Sequence, residues 1–323
     1  MKVGIIGAGA IAGTMAGTIR EMDCAQNYAV AARDYGRAAE FAQTYGFEKA
    51  YGSYEELVED AGVELVYIAT PHSHHYEHIK LCLNHGKHVL CEKSFTVNES
   101  QAREVLELAR EKKLLLTEAI WTRYMPMRKT LDDVLLSGVI GRPYMLTANL
   151  GYIISGKERI MRPELAGGAL LDVGIYPLNF ASMVFGDEVD SITGTAVMTE
   201  TGVDAENSIT ITYKDGRMAV LCSSAMGLSD RRGIIYGDNG FIEVENINNC
   251  EGIRVYDRSR NMIASYDTPK QISGYEYEVE ACLRAIEEGA LECPEMPHEE
   301  TLRMMGWMDE LRRQWGLVYP MEK

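Results

Sequence analysis

Over the first 121 residues, short apolar runs alternate with longer stretches whose apolar positions recur every three or four residues. That alternation is the pattern of βαβ units on a parallel sheet. It predicts strands over 3–6, 28–32, 65–69, 88–91 and 114–118, with helices between them. One predicted helix opens at Ser53, where Ser53 and Glu56 have the spacing of a capping box. Another starts at Gln101 and sets apolar residues on one face and charges on the other.

Beyond Arg123 the rhythm changes. Helices are predicted near 126–137 and 170–184, and residues from about 190 to 267 alternate apolar and polar as the strands of a one-sided antiparallel sheet do. Asp215–Gly216, between two such runs, is a hairpin signal. Helical segments near 275–288 and 299–314 close the chain. The expected fold is an α/β Rossmann domain with a parallel sheet, followed by an α+β domain with a large, mostly antiparallel sheet. With no linker or low-complexity tract to mark the boundary, the change of period divides the chain into 1–122 and 123–323.

Length and charge sharpen this picture. A chain of 323 residues exceeds what one core commonly holds, in keeping with two domains. The 32 basic and 48 acidic residues give a formal charge of −16, which repels nucleic acid and anionic membrane surfaces and argues against both as partners. A few clustered cations would still hold a phosphorylated cofactor. Seven cysteines lie scattered with no C-x-x-C pair, so neither a disulfide framework nor a zinc site is expected. The N-terminal glycines interrupt any signal-like apolar region, and no run reaches the roughly 18 apolar residues of a membrane helix. A cytoplasmic setting is the expectation.

The first candidate chemistry is Gly7-Ala8-Gly9-Ala10-Ile11-Ala12, between a predicted strand and a predicted helix. In that setting Gly7 and Gly9 permit a tight turn and close approach of a pyrophosphate, with the helix N-terminus at Ala10 and Ile11 supplying free N–H groups. At the end of the second strand the chain reads Ala32-Arg33-Asp34, and a cation there suits a 2′-phosphate. NADP is therefore the expected cofactor, with NAD left open because Asp34 would reach a ribose. Thr70, Pro71, His72 and His75 follow the third strand, where open α/β sheets bind ligands, and are expected beside the cofactor. Six of the seven histidines fall between 72 and 88, but no cysteine or acid joins them at ligand spacing, so no metal is expected.

Three segments then coincide: GAGAIA at the start, Cys91-Glu92-Lys93, and the run from Gly167 to Pro177 that reads GGALLDVGIYP. Together they resemble the Gfo/Idh/MocA family of oxidoreductases. Glu118-Ala119-Ile120-Trp121-Thr122-Arg123-Tyr124 is similar to its dimeric dihydrodiol dehydrogenase and D-xylose dehydrogenase branch. The resemblance spans the chain and implies NADP-dependent hydride transfer to or from a small polyol, sugar or cyclic diol hydroxyl. It implies Lys93 as the catalytic lysine, Glu92 and Lys93 at the cofactor, and Asp172 and Tyr176 as the catalytic pair. The family's E-K-P appears as Glu92-Lys93-Ser94, so serine stands where proline is usual.

The chemistry explains the set. Removing hydride from an alcohol carbon requires loss of the hydroxyl proton, hence a positioned acid/base. A tyrosine with an ordinary pKa of about 10 serves better beside a cation. Asp172, one helical turn before Tyr176, would bind a second hydroxyl or orient Lys93. Trp121, Arg123 and Tyr124 are candidates for substrate binding. Two other readings remain: a hydrolase or epimerase that retains its nucleotide and oxidises transiently, and a non-catalytic NADP-binding regulator. A large sheet with one apolar face left over predicts a homodimer or larger assembly through the C-terminal sheet.

Overall fold

The apolar runs of the first 119 residues become the strands of one sheet. In the computed structural model, which describes all 323 residues, the order is β1 (Lys2–Ile6), α1 (Ala10–Arg20), β2 (Gln26–Ala31), α2 (Tyr35–Tyr45), β3 (Lys49–Tyr51), α3 (Tyr54–Glu59), β4 (Leu65–Ile68), α4 (His72–Asn84), β5 (His88–Glu92), α5 (Glu99–Lys112) and β6 (Leu116–Ala119). There follow α6 (Pro126–Leu136), β7 (Pro143–Gly151), α7 (Glu158–Met161), a π-helical turn (Leu170–Gly174), α8 (Ile175–Phe185) and seven strands. These are β8 (Val189–Met198), β9 (Asp204–Tyr213), β10 (Met218–Ser224), β11 (Gly233–Gly237), β12 (Gly240–Glu245), β13 (Gly252–Asp257) and β14 (Met262–Asp267). Helices α9 (Glu276–Glu288) and α10 (His298–Trp315) follow, and a short 3-10 helix (Pro320–Glu322) lies near the C-terminus.

The chain forms two compact units, each discontinuous: Met1–Tyr124 with Gln271–Met305, and Met125–Lys270 with Gly306–Lys323. The change of period near residue 122 marks the first crossing but carries no sign of the return. The return rests on contacts remote in sequence. Leu116 N–H donates to the Leu291 carbonyl at 3.1 Å, His298 Nε2 lies 2.8 Å from the Leu116 carbonyl, and Thr18 and Ser273 share a hydroxyl hydrogen bond of 2.7 Å.

In the first unit the strands run parallel in the order β3-β2-β1-β4-β5-β6, the doubly wound arrangement whose chain reverses direction across the sheet at β1 and β4. Ile5, Ile6, Val66, Tyr67, Ile68, Val89 and Leu90 are wholly buried, as a sheet covered on both faces requires. The capping box expected at Ser53 and Glu56 is present on α3. β3 escapes sequence reading because its three residues are too few to show a period.

In the second unit eight strands lie in the order β14-β13-β12-β11-β7-β10-β9-β8. All neighbours are antiparallel except β7 and β10, which run parallel. Asp215 and Gly216 do turn β9 into β10, with Gly216 at φ +87°. β7 was not predicted, and it sits mid-sheet. The run 163–185 has the length and apolar character of a membrane-crossing segment, but 89% of its most apolar 18 residues are buried in protein. Thus it is a core segment of this unit.

Candidate active site

β1 ends where Gly7 turns the chain at φ +103°, and a Cβ there would lie 2.9 Å from the Ala69 carbonyl oxygen. Only glycine fits that conformation and approach. Over Gly9, by contrast, an added Cβ meets nothing within 4 Å. Gly9 is the N-cap of α1, and no side chain caps that helix. Uncapped first-turn N–H groups beneath an open glycine form a cradle of the shape and polarity that a pyrophosphate requires, so the residues fit a dinucleotide.

The second strand delivers Arg33 to the same edge. Asp34 is the N-cap of α2 and accepts the Arg37 N–H at 2.7 Å, while Arg37 Nη2 donates to the Ala8 carbonyl at 2.8 Å. Burial raises the pKa of Tyr54 and lowers those of His74 and His78, and the Arg33 guanidinium acts on all three, opposing the rise at Tyr54 and adding to the fall at the histidines. His78 is brought down to about 4 and lies 2.9 Å from Thr70 Oγ1. Neutral imidazoles beside two exposed arginines make a local basic patch on an acidic protein. Arg37, which sequence reasoning passed over, was signalled by its spacing of four from Arg33.

His72 is buried at the start of α4, and Pro71 is that helix's N-cap. His75 is wholly buried, with Nδ1 2.8 Å from the Ser94 carbonyl and Nε2 2.8 Å from the Thr70 carbonyl. Two acceptors favour the imidazolium, yet burial outweighs them and takes the pKa down to about 4. His75 thereby ties the loop after β4 to the loop after β5.

That second loop carries Lys93. Glu92 is buried at the end of β5 and accepts a short hydrogen bond from Tyr67; Lys93 is half-buried, and the Lys93–Ser94 peptide is cis. Two residues on, Phe95 N–H donates to Glu118 Oε1 at 3.2 Å. Burial raises the Glu118 pKa to about 7. The loop bearing the lysine is thus held from β4, β6 and α4 together.

Trp121 stacks on Tyr275 with centroids 4.2 Å apart, and Arg123 forms a nearly buried ion pair with Glu300. The Tyr124 hydroxyl lies 2.8 Å from both the Glu118 carbonyl and Thr117 Oγ1. All three are engaged in the packing of the first unit.

In the second unit, Asp172 belongs to the π-helical turn and Tyr176 to the first turn of α8; they are 4% and 7% exposed. The spacing of four predicts one α-helical turn, whereas the segment leading from Asp172 toward Tyr176 is the wider π type, which recurs at functional sites. Arg159, another residue not singled out from sequence, holds Asp172 at 2.6 Å through Nη1.

The fold and the glycine cradle define a two-unit oxidoreductase built on a nucleotide-binding sheet, and comparison with known proteins agrees. Residues 1–120 match the oxidoreductase family described by its NAD-binding Rossmann fold, and residues 129–243 match the GFO/IDH/MocA C-terminal domain. The chain is 34% identical to the trans-1,2-dihydrobenzene-1,2-diol dehydrogenases of Xenopus tropicalis and Homo sapiens, over 99% and 100% of its length and 99% of each relative. It belongs to the Gfo/Idh/MocA family of oxidoreductases.

Among solved structures, a 3-ketoreductase from Actinomadura kijaniata, in complex with NADP and TDP-benzene, superposes with a TM-score of 0.90 at 24% identity, covering 97% of both chains. An aldose-aldose oxidoreductase from Caulobacter crescentus gives 0.88 at 18% identity, also over 97% of both. At those identities the likeness is one of fold.

Proposed function

We propose that this protein is an NADP-dependent dehydrogenase that moves a hydride between the nicotinamide and a hydroxyl-bearing carbon of a small cyclic diol or sugar. The observation that carries the cofactor half is the pair of exposed arginines, Arg33 and Arg37, at the glycine loop, with Asp34 committed to capping α2. Two guanidiniums suit a phosphate, which is bound by charge-assisted, bidentate hydrogen bonds. Full-length identity to the diol dehydrogenases supports the substrate class.

When bound, the cofactor supplies the nicotinamide carbon that accepts or returns a hydride. Gly7, Gly9, Ala10 and Ile11 would hold its pyrophosphate through backbone N–H groups, and Thr70, Pro71, His72, His75 and Glu92 would line its path along the sheet edge. Tyr176 takes the hydroxyl proton during oxidation and gives it back in reduction. Lys93 contributes the ammonium that stabilises negative charge on the substrate oxygen. Asp172, steadied by Arg159, accepts a hydrogen bond from a neighbouring substrate hydroxyl.

We also propose a homodimer through the eight-stranded sheet. One row of outward side chains runs in register across six strands: Met218, Met145, Tyr236, Phe241, Tyr256 and Met262. Met218, Met145 and Met262 are exposed and Tyr236, Phe241 and Tyr256 half-buried, with Phe241 stacked on Tyr256 at 4.5 Å. A continuous apolar strip of this kind is characteristic of an association surface. Seven free thiols support a reducing compartment such as the cytoplasm.

The deciding experiment is a titration with NADPH and NADH, followed by turnover on cyclic diols, aldoses and inositols. Net NADPH formation with a diol or aldose is expected. Tight NADPH binding with no turnover across the panel would favour a regulator, and product formation without net NADPH change would favour the nucleotide-retaining alternative.

A further inference from the structure

The segment bearing Asp172 and Tyr176 is held at its N-terminal end by a buried carboxylate that the proposed chemistry does not use. Asp204, the first residue of β9, is 0% exposed. Its Oδ2 accepts the Leu170 N–H at 2.7 Å and Asn207 Nδ2 at 2.9 Å. On β10, Ser223 Oγ donates in turn to Asn207 Oδ1 at 2.9 Å. Leu170 opens the π-helical turn, and no side chain of the turn's own N-cap satisfies its first amides. An acceptor carried 34 residues away therefore does the work of a cap, and a carboxylate does it with favourable charge at a helix N-terminus.

The neighbouring backbone leaves this segment little freedom. Gly168 sits at φ +112°, and a Cβ there would come within 2.2 Å of Asp204 Oδ1. Gly168 N–H donates to the Ile160 carbonyl at 2.8 Å, and the Tyr319 hydroxyl donates to the Gly167 carbonyl at 2.6 Å. The cap thus fixes the one amide at which the pinned 166–169 stretch enters the turn. Burial raises the Asp204 pKa to about 6, and the hydrogen bonds from Asn207 and Leu170, with the Arg312 guanidinium, favour its charged form against that burial.

We infer that Asp204 is a positioning residue: with Asn207 and Ser223 it sets the entry of the 170–176 segment, and through it the orientation of Asp172 and Tyr176. This rests on the catalytic reading of Tyr176 given above. A displacement on the order of 1 Å at a reacting group costs on the order of 100-fold in rate, so the cap is felt in kcat rather than in cofactor affinity.

Asp204→Ala is expected to lower kcat about tenfold or more while NADPH affinity and KM stay near wild type. Asp204→Asn, whose amide oxygen accepts the same two N–H groups, is expected to restore most of kcat. Hydrogen exchange over 168–176 should quicken in the alanine variant and stay slow in the asparagine one. Unchanged kcat and exchange in Asp204→Ala, or an Asp204→Asn variant as impaired as alanine, would overturn the inference. Where Asp204→Ala does not fold, Ser223→Ala decides, with a smaller kcat loss at constant KM expected and no loss counting against the cap. Tyr176→Phe separates the two levels. Full activity in that variant removes the catalytic reading itself, whereas an inactive Tyr176→Phe beside a fully active Asp204→Ala removes only the cap's role.

Discussion

Asp34 accepts the backbone N–H of Arg37 at 2.7 Å, and the side chain of that same arginine donates to the carbonyl of Ala8 in the glycine loop. One short exchange thus engages Oδ1 of the acid that follows β2 and brings a cation to the glycine loop. Arg33 stands beside it, exposed and in no ion pair within the structure.

Arg33→Ala and Arg37→Ala should each weaken NADPH binding by about tenfold or more, the worth of a charge-assisted hydrogen bond, with little effect on NADH. Fluorescence titration of both cofactors measures this. Equal losses for NADPH and NADH would mean that the arginines support the loop and do not read the phosphate.

Tyr176→Phe removes only a hydroxyl, and the loss expected for a general acid/base is about 10²- to 10⁴-fold in kcat. Cofactor affinity should hold. Lys93→Met is expected to lower kcat as well, through the lost ammonium. Steady-state kinetics paired with NADPH titration provide the check, and a Tyr176→Phe enzyme with wild-type kcat would assign the proton transfer elsewhere.

Glu278, on α9, is wholly buried, and neither carboxyl oxygen has a hydrogen-bond partner. Burial raises its pKa well above the usual carboxylate value, with Glu92 and Cys293 adding to the rise. The folded protein therefore keeps a proton that the unfolded chain releases above about pH 4.3, and stability falls as pH rises through that point toward the folded pKa. Glu278→Met should raise stability at pH 8 by about 1 kcal/mol or more, a single pKa unit being worth about 1.4 kcal/mol. The gain should shrink at pH 5. Thermal melts at the two pH values test it, and an equal or larger gain at pH 5 would contradict the assignment.

Met145 and Met218 are register partners at the middle of the outward row. Replacing both with glutamate places like charges in the proposed interface and should give a monomer with an intact fold. Light scattering at micromolar concentration, with circular dichroism as the control, reads the outcome. A wild-type protein that is already monomeric would remove the proposal.

Local physics made much of this protein legible without coordinates. The glycine turn, the capping box at Ser53 and Glu56, the Asp215–Gly216 hairpin and the two periodicities all depend on residues within a few positions of one another, and side-chain pattern reports such interactions directly. The candidates Lys93, Asp172 and Tyr176 could be named for a related reason, because the motifs that carry the family resemblance are short and contiguous. What only the tertiary structure decided are the pairings across long separations. Examples are His75 reaching the carbonyl of Ser94, Glu300 holding Arg123, Asp204 capping Leu170, and β7 lying mid-sheet beside β10. Those contacts join residues that are strangers in the chain, and a burial or a hydrogen bond between them leaves no period in the sequence from which it could have been read.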